Sequence, residues 1–216
     1  VSERLRITEI FFSIQGESTW AGCPCVFVRL TGCNLRCHWC DTEYAFHEGR
    51  HLEIDEIVEQ VRGYGCNLVE VTGGEPLLQK GVYRLFELLL ENRFTVLVET
   101  SGERDLSSVD PRVIKIMDLK CPSSGECARN RMSNLRYLSN RDELKFVIAD
   151  RCDFEWACEI VRQHRLADRV HAILMSPAFG YLAPAELANW ILRERLPVRM
   201  QLQLHKHIWP PDTRGV

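Results

Sequence analysis

No stretch of these 216 residues stays apolar long enough to cross a bilayer, which takes about 20 consecutive residues. The opening VSERLRITEI has no apolar signal core, so export is not expected and the cytoplasm is the expected location. Positive charge is not in excess. With 27 Lys and Arg against 30 Asp and Glu, the net charge is −3, which argues against general binding to nucleic acid or to an anionic membrane. Repeats, low-complexity segments and long linkers are also missing, so one domain over 1–216 is expected. Cysteine, by contrast, is plentiful, with ten residues. A disulfide framework belongs to small secreted domains, and neither the length nor the opening segment fits that class. Reduced thiols and a metal site are the better reading.

Strand-like and helix-like patterns alternate along most of the chain. ITEIFFSI and CVFVRLTG read as strands. LEIDEIVEQVRGYG reads as a helix with one apolar stripe, Ile54, Ile57, Val58 and Val61, stopped by Gly63 and Gly65. The pattern continues as strand NLVEVTGG, helix LQKGVYRLFELLLENR, strands FTVLVETSG, VIKIMDLK and ELKFVIA, helix DFEWACEIVRQHRL and strand RVHAILMS. Helix AELANWILRERL follows, and VRMQLQLH reads as a last strand before the tail IWPPDTRGV. Short apolar strands joined by helices imply right-handed crossovers and a mostly parallel sheet. The chain is shorter than the roughly 250 residues of a complete eightfold barrel, so the expected fold is α/β, a partial, open barrel. Active sites in such folds lie at the carboxyl ends of the strands. TGC (31–33), TGGEP (72–76), ETSG (99–102) and DLKCPSSG (118–125) each follow a strand there.

CNLRCHWCDTEY carries Cys33, Cys37 and Cys40 at the spacing C-x3-C-x2-C, and no fourth cysteine completes the set nearby. Free buried thiols rarely cluster so tightly. A zinc site would need a fourth ligand, with His38, His47 or His51 in reach, but no second C-x2-C follows. A 4Fe–4S cluster on three thiolates leaves one iron without a protein ligand. Such an open position is useful where a small molecule binds, as at a catalytic zinc. The cluster reading ranks above zinc. Cys23 and Cys25, as C-P-C, lie near this loop and read as buried or incidental thiols, and the remaining five cysteines suggest no second cluster.

The spacing, Trp39 just before the last cysteine, and GGEP one strand downstream together resemble the radical S-adenosylmethionine (SAM) superfamily. The resemblance implies that SAM chelates the open iron, that Trp39 lies near the adenine, and that Gly73, Gly74 and Glu75 bind the cofactor's ammonium group. Cys40, Asp41, Asp118, Leu119 and Lys120 are further expected cofactor contacts. Alone, Gly73-Gly74-Glu75-Pro76 would read as an ordinary strand-to-helix turn whose glycines let backbone approach a ligand.

FFSIQGES, FVRLTGCNLRCHWCDTEYAF, VTGGEPLLQ, VETSG, DLKCPSSGE and QLHKHIWPPDTRGV cover nearly the whole chain and are similar to the 7-carboxy-7-deazaguanine synthases of queuosine biosynthesis. That family, carbon–nitrogen lyases, takes 6-carboxy-5,6,7,8-tetrahydropterin to 7-carboxy-7-deazaguanine and ammonia by radical ring contraction. The resemblance implies that Ile14, Gln15 and Gly16 contact the pterin, Arg29 the substrate carboxylate, Thr72 the substrate beside GGEP, and Thr42 a magnesium ion. The chemistry suits these residues. Arg29 offers a planar fork for a carboxylate, though a surface salt bridge is an equal reading of Arg29 by itself. Gln15 and backbone at Gly16 offer paired donors and acceptors, and Asp41 and Thr42 offer hard oxygens. His205, expected at the end of the last strand, is a further candidate catalytic residue beside Arg29 and Thr72; a lone histidine is more often structural. An external flavodoxin-like or ferredoxin-like electron donor and a homodimer are also implied. The rival enzyme reading is a radical SAM activating enzyme that installs a glycyl radical on a partner protein. An iron–sulfur electron carrier would use four protein ligands and have no need of GGEP, and a zinc-binding interaction module is the plainest alternative.

Overall fold

The computed structural model describes residues 3–216. The chain opens with two strands, β1 (Arg4–Ile14) and β2 (Pro24–Leu30), then forms β3 (Arg50–Glu53), α1 (Ile54–Gly63), β4 (Leu68–Gly73), α2 (Val82–Glu91), β5 (Thr95–Thr100) and β6 (Ile114–Asp118). It continues as β7 (Glu143–Ile148), α3 (Arg151–Gln163), β8 (Ala172–Pro177), α4 (Pro184–Glu194), β9 (Arg199–Met200) and a single turn, α5 (His205–Ile208). All nine strands form one open sheet in the order β3-β1-β2-β4-β5-β6-β7-β8-β9. From β2 to β9 every neighbouring pair is parallel, while β1 runs antiparallel to both β2 and β3. This is the partial, open α/β barrel expected, mostly parallel and not closed. Among the described residues no helix is long and apolar enough to cross a membrane.

The central parallel strands alternate between two faces. Val69 and Val71, Val96 and Val98, and Leu144 and Phe146 are fully buried or nearly so on the helix-covered face. Their alternates, Glu70, Thr72, Glu99 and Lys145, line a cleft on the other face. A strand places successive side chains on opposite faces, so polar and charged residues at alternate positions of these strands turn one face of the sheet into a polar interior.

Helix α1 buries the expected stripe of Ile54, Ile57, Val58 and Val61 but starts later than LEIDEIVEQ suggested, because Leu52 and Glu53 pair with β1 as part of β3. Helix α2 likewise begins only at Val82, after a short turn at Pro76–Leu78. Asp150 caps α3, its side chain accepting from the Asp153 amide at 2.9 Å.

The last predicted strand is corrected. VRMQLQLH forms only two strand residues, after which the chain leaves the sheet edge. The Gln201 amide still donates to the Met175 carbonyl, but its side chain accepts from the Ser18 amide at 2.7 Å, and the Leu204 amide donates to Gly16. The two glutamines and Leu204 thus bond to the loop after β1 rather than along β8, and His205 opens α5 instead of closing a strand.

Candidate active site

A cleft of about 780 Å³ opens at the carboxyl ends of the parallel strands. The loop after β1 forms one wall, the cysteine loop a second, and the carboxyl-terminal segment a third. Of the residues singled out from sequence, Ile14, Gln15, Gly16, Arg29, Cys33, Cys37, Trp39, Cys40, Asp41, Thr42, Thr72, Gly73, Gly74, Asp118, Lys120 and His205 all line it. Glu75 and Leu119 are not among the residues that line it. The fully buried Glu75 carboxylate accepts hydrogen bonds from the Leu77 amide, the Thr100 hydroxyl, and the amide and hydroxyl of Ser101, at 2.7–3.0 Å. It braces the GGEP turn against the end of β5. The Leu119 side chain belongs to the apolar core.

The two glycines of GGEP are required by the protein itself. A β-carbon on Gly73 would meet the Leu30 carbonyl oxygen at 2.7 Å, and one on Gly74 would overlap the Gly32 carbonyl. The Glu75 amide also donates to that carbonyl at 2.8 Å. GGEP therefore packs directly on the root of the cysteine loop. Gly16 is similarly fixed, because a β-carbon there would collide with the His205 ring.

The three thiols stand on a loop that leaves β2 and leans on residues 122–126. The His38 amide donates to the Ser124 carbonyl at 3.1 Å and the Arg36 amide to the Glu126 carboxylate at 2.6 Å. As free thiols all three are pushed up by burial, Cys37 to about 11. Loading with iron would therefore release protons. Among the described residues no three His, Cys, Asp or Glu side chains converge where one ion could join them. A zinc ion needs four ligands at about 2.0–2.3 Å, whereas a cluster spreads its thiolates over several irons. Of the histidines offered as a fourth zinc ligand, the His38 ring is bonded to the Ser123 carbonyl at 2.9 Å, and His47 and His51 lie outside the cleft. The donor set fits a cluster better than zinc. Asp118 adds a buried Oδ1 with no protein partner, while its Oδ2 pairs with Lys120 at 2.8 Å. Trp39 meets Tyr181 edge-on, ring centres 5.8 Å apart.

Cys23 and Cys25 are not near this loop. They sit at the amino end of β2, a strand length of about 20 Å from its carboxyl end, where Cys33 follows, and Cys25 is fully buried.

Arg29 is in a half-buried ion pair, not a surface one. Its Nε lies 2.7 Å from Glu9 and its Nη1 donates to the Gly73 carbonyl at 3.3 Å. Arg29 and Thr72 are register partners on β2 and β4, which sets both at one depth in the cleft. The Gln15 amide is less free than its sequence suggested. Its Nε2 donates to Glu70 and its Oε1 accepts from the Glu17 amide at 3.0 Å, while the Gly16 carbonyl accepts from Leu204. Thr42 donates to Asp41 at 2.9 Å, and Asp41 pairs through its other oxygen with Lys206 at 2.6 Å and with Gln203 at 3.1 Å. Burial opposes the Asp41 charge, but Lys206 outweighs it and holds the carboxyl well below its ordinary range.

Sequence reasoning missed the ionic floor of the cleft. Lys145 pairs with Glu17, lies 2.6 Å from Glu99 and stands 3.9 Å from Asp118. Burial works against the Glu17 charge, yet Lys145 keeps that carboxyl below its usual value. Glu70 is pushed well above the usual value by burial and by neighbouring Glu99 and Glu17, and burial likewise raises Glu99. Burial also lowers His205, toward the neutral imidazole. The available signal was charge set within apolar strands: Glu70 in LVEVT, Glu99 in VLVET, Glu143 and Lys145 in ELKFVI.

An open α/β barrel carrying three thiols and a glycine turn at its carboxyl rim defines a radical SAM protein, and residues 27–120 match the Radical SAM superfamily. The 7-carboxy-7-deazaguanine synthase of Koribacter versatilis is 50% identical over 98% of this chain and 100% of its own length. That of Chlorobaculum tepidum is 49% identical over 98% and 97%. The chain belongs to the 7-carboxy-7-deazaguanine synthase family. The fold is shared with the crystal structure of QueE from Escherichia coli, at TM-score 0.76 and 23% identity, over 94% of this chain and 95% of that one.

Proposed function

We propose that this chain converts 6-carboxy-5,6,7,8-tetrahydropterin to 7-carboxy-7-deazaguanine and ammonia, as a radical SAM lyase of queuosine biosynthesis. The observation that carries this reading is one cleft holding the three-thiol loop at its rim and Arg29, Thr72 and an ionic floor within. It is joined by relatives named for that synthase at about half identity over nearly full length. Cys33, Cys37 and Cys40 would hold a 4Fe–4S cluster whose open iron takes SAM. When bound, cluster and SAM supply a 5′-deoxyadenosyl radical able to take a hydrogen atom from the pterin.

The chain's own residues bind, orient and move protons. Arg29 holds the substrate carboxylate, and Thr72 lies beside it. Ile14, Gln15 and Gly16 form the wall against the pterin. With the Gln15 side chain already bonded to Glu70 and Glu17, its part is to order that wall, leaving its second amide hydrogen for the ligand. Trp39, Asp41, Gly73, Gly74, Asp118 and Lys120 border the SAM side, with Asp118 Oδ1 an acceptor still without a donor. Loss of ammonia requires a proton donor and acceptor, and Lys145, Glu99 and His205 are among the titratable groups that line the cleft. Thr42 would give one hydroxyl to a magnesium ion that draws its other ligands from water and substrate. A flavodoxin-like or ferredoxin-like donor, a homodimer and a cytoplasmic location complete the proposal. An activating enzyme for a glycyl radical is disfavoured, since a partner's glycine loop has no use for a guanidinium and buried carboxylates in a closed-off floor.

The test is anaerobic reconstitution with iron and sulfide, then dithionite, SAM and the carboxytetrahydropterin, with products read by mass spectrometry. 7-Carboxy-7-deazaguanine is expected, and Cys33→Ala, Cys37→Ala or Cys40→Ala should each abolish both the visible absorbance and 5′-deoxyadenosine formation. SAM cleavage without substrate conversion would overturn the substrate; an intact cluster in Cys37→Ala would overturn the ligand set.

A further inference from the structure

We infer that Glu9 and Tyr44 are positioning residues that aim Arg29 and so set the cleft's preference for a carboxylated pterin. The inference rests on the reading of Arg29 given above. It begins in the backbone of β1. Ile7 pairs with Leu30, yet Glu9 pairs with Arg29, so one extra residue, Thr8, bulges out of the ladder. Strand parity alternates, and a one-residue insertion flips every later side chain to the other face. Leu5 and Ile7 are buried in the helix-covered core. Beyond the bulge the same parity of residue turns to the cleft face: Glu9 opposite Arg29, and Phe11 stacked on its partner Phe27 with ring centres 4.9 Å apart. Without the bulge Glu9 would share the core face with Ile7. Thr8 is held in place by Thr31, hydroxyl to hydroxyl at 2.8 Å.

One atom, Glu9 Oε1, accepts from both Arg29 Nε and the Tyr44 hydroxyl, each at 2.7 Å. Arg29 Nη1 spends one hydrogen on the Gly73 carbonyl. Among the described residues Nη2 has no hydrogen-bond partner. A guanidinium carries five N–H donors in a rigid plane. Fixing the Nε side therefore dictates where the remaining Nη1–Nη2 edge points, and that edge is the fork a carboxylate fits. Tyr44 is itself clamped, with the Arg214 guanidinium 3.9 Å from its ring centre and Arg214 paired to Glu48 at 2.8 Å. Glu9 does not line the cleft, so whatever it does for a ligand it does through Arg29. It also balances the Arg29 charge while no anion is bound.

The experiment compares equilibrium binding of 6-carboxypterin and of unsubstituted pterin to cluster-loaded protein, beside substrate titrations of turnover. Wild type should prefer the carboxylated ligand on the order of a hundredfold, the worth of one desolvated charge pair. Glu9→Ala and Tyr44→Phe should shrink that preference by about three- to tenfold, the worth of one hydrogen bond, while leaving affinity for unsubstituted pterin unchanged. In turnover they should raise KM with little change in kcat. Glu9→Gln should keep the preference, because its amide oxygen can accept from both Arg29 and Tyr44. In an Arg29→Ala background, adding Glu9→Ala should change nothing further, the signature of residues acting as one unit. A full preference in Glu9→Ala and Tyr44→Phe overturns the inference alone, as does simple additivity with Arg29→Ala. Equal affinity of wild type for both pterins overturns the role of Arg29 itself, and this inference with it. Tyr44 itself lines the cleft, so if Glu9→Ala does not fold, Tyr44→Phe decides the question through its additivity with Arg29→Ala.

Discussion

Gly74 packs so closely on Gly32 that a β-carbon added to it would overlap the Gly32 carbonyl oxygen, with the Cys33 β-carbon 3.1 Å away. The turn after β4 and the root of the cysteine loop are thereby one packed unit. Any side chain at 74 must push the loop outward, since the obstructing atoms are backbone. Gly74→Ala should lose about 1–3 kcal/mol of stability, the usual cost of overpacking. It should also retain less iron after reconstitution, because the displaced residue neighbours Cys33, a proposed cluster ligand. Thermal unfolding and iron content measure the two effects. Normal values for both would mean that the loop gives way freely and that the glycine pair is not needed for packing.

Glu75 makes the complementary case. Its carboxylate is fully buried and accepts its hydrogen bonds from the turn and from the end of β5. Glu75→Ala would strand the buried amides of Leu77 and Ser101, at about 1–3 kcal/mol for each unsatisfied group. The loss should appear in urea unfolding of protein free of iron and SAM. A residue that served only as a cofactor ligand would leave cofactor-free stability untouched, so an unchanged midpoint would mean that Glu75 does not brace the turn.

These two residues show what the sequence could and could not disclose. The cysteine spacing, GGEP and the order of strands are local patterns, and each was readable from a few adjacent letters. The bracing role of Glu75 was not legible, because a motif names a segment and says nothing of which way each side chain turns. The Thr8 bulge was invisible for a related reason: ITEIFFSI gives no local sign of where the ladder slips, and the slip depends on pairing with β2. VRMQLQLH alternates like a strand, but its glutamines and Leu204 find partners at Ser18, Glu17 and Gly16, more than 180 residues away. Long-range polar partners of this kind override local propensity.

Thr42 is exposed to a simple metal test. Its hydroxyl donates to Asp41, whose other oxygen is engaged by Lys206 and Gln203, so the hydroxyl lone pairs remain open to a cation. Thr42→Ala should weaken magnesium stimulation of turnover several-fold while leaving the visible spectrum of the cluster unchanged. Thr42→Ser keeps the oxygen and should be milder. An unaltered magnesium titration in Thr42→Ala would remove this residue from the proposed ion's coordination.

Glu70 offers a pH test of the ionic floor. Its carboxyl faces Glu99 from β5, Glu17 from the loop after β1, Lys145 from β7 and Arg29 from β2. Burial and the two acids together raise it well above its ordinary value. A carboxyl raised on folding binds its proton more tightly in the native state. Below the unfolded value, about 4.3, both states are protonated and the group contributes nothing. As pH rises from there toward the native value, only the unfolded state gives up the proton, so stability falls by up to about 1.4 kcal/mol per pH unit. Above the native value the penalty is complete. Glu70→Gln removes it while keeping an oxygen for the Gln15 amide to donate to. Wild type and variant should therefore unfold at similar temperatures near pH 4.5, and the variant should gain steadily on wild type up to pH 8. Denaturation scans of both proteins at half-unit pH intervals give the curve. A variant that loses ground as pH rises would mean that Glu70 is ionised in the native cleft, paired to Lys145 more strongly than its acidic neighbours oppose it.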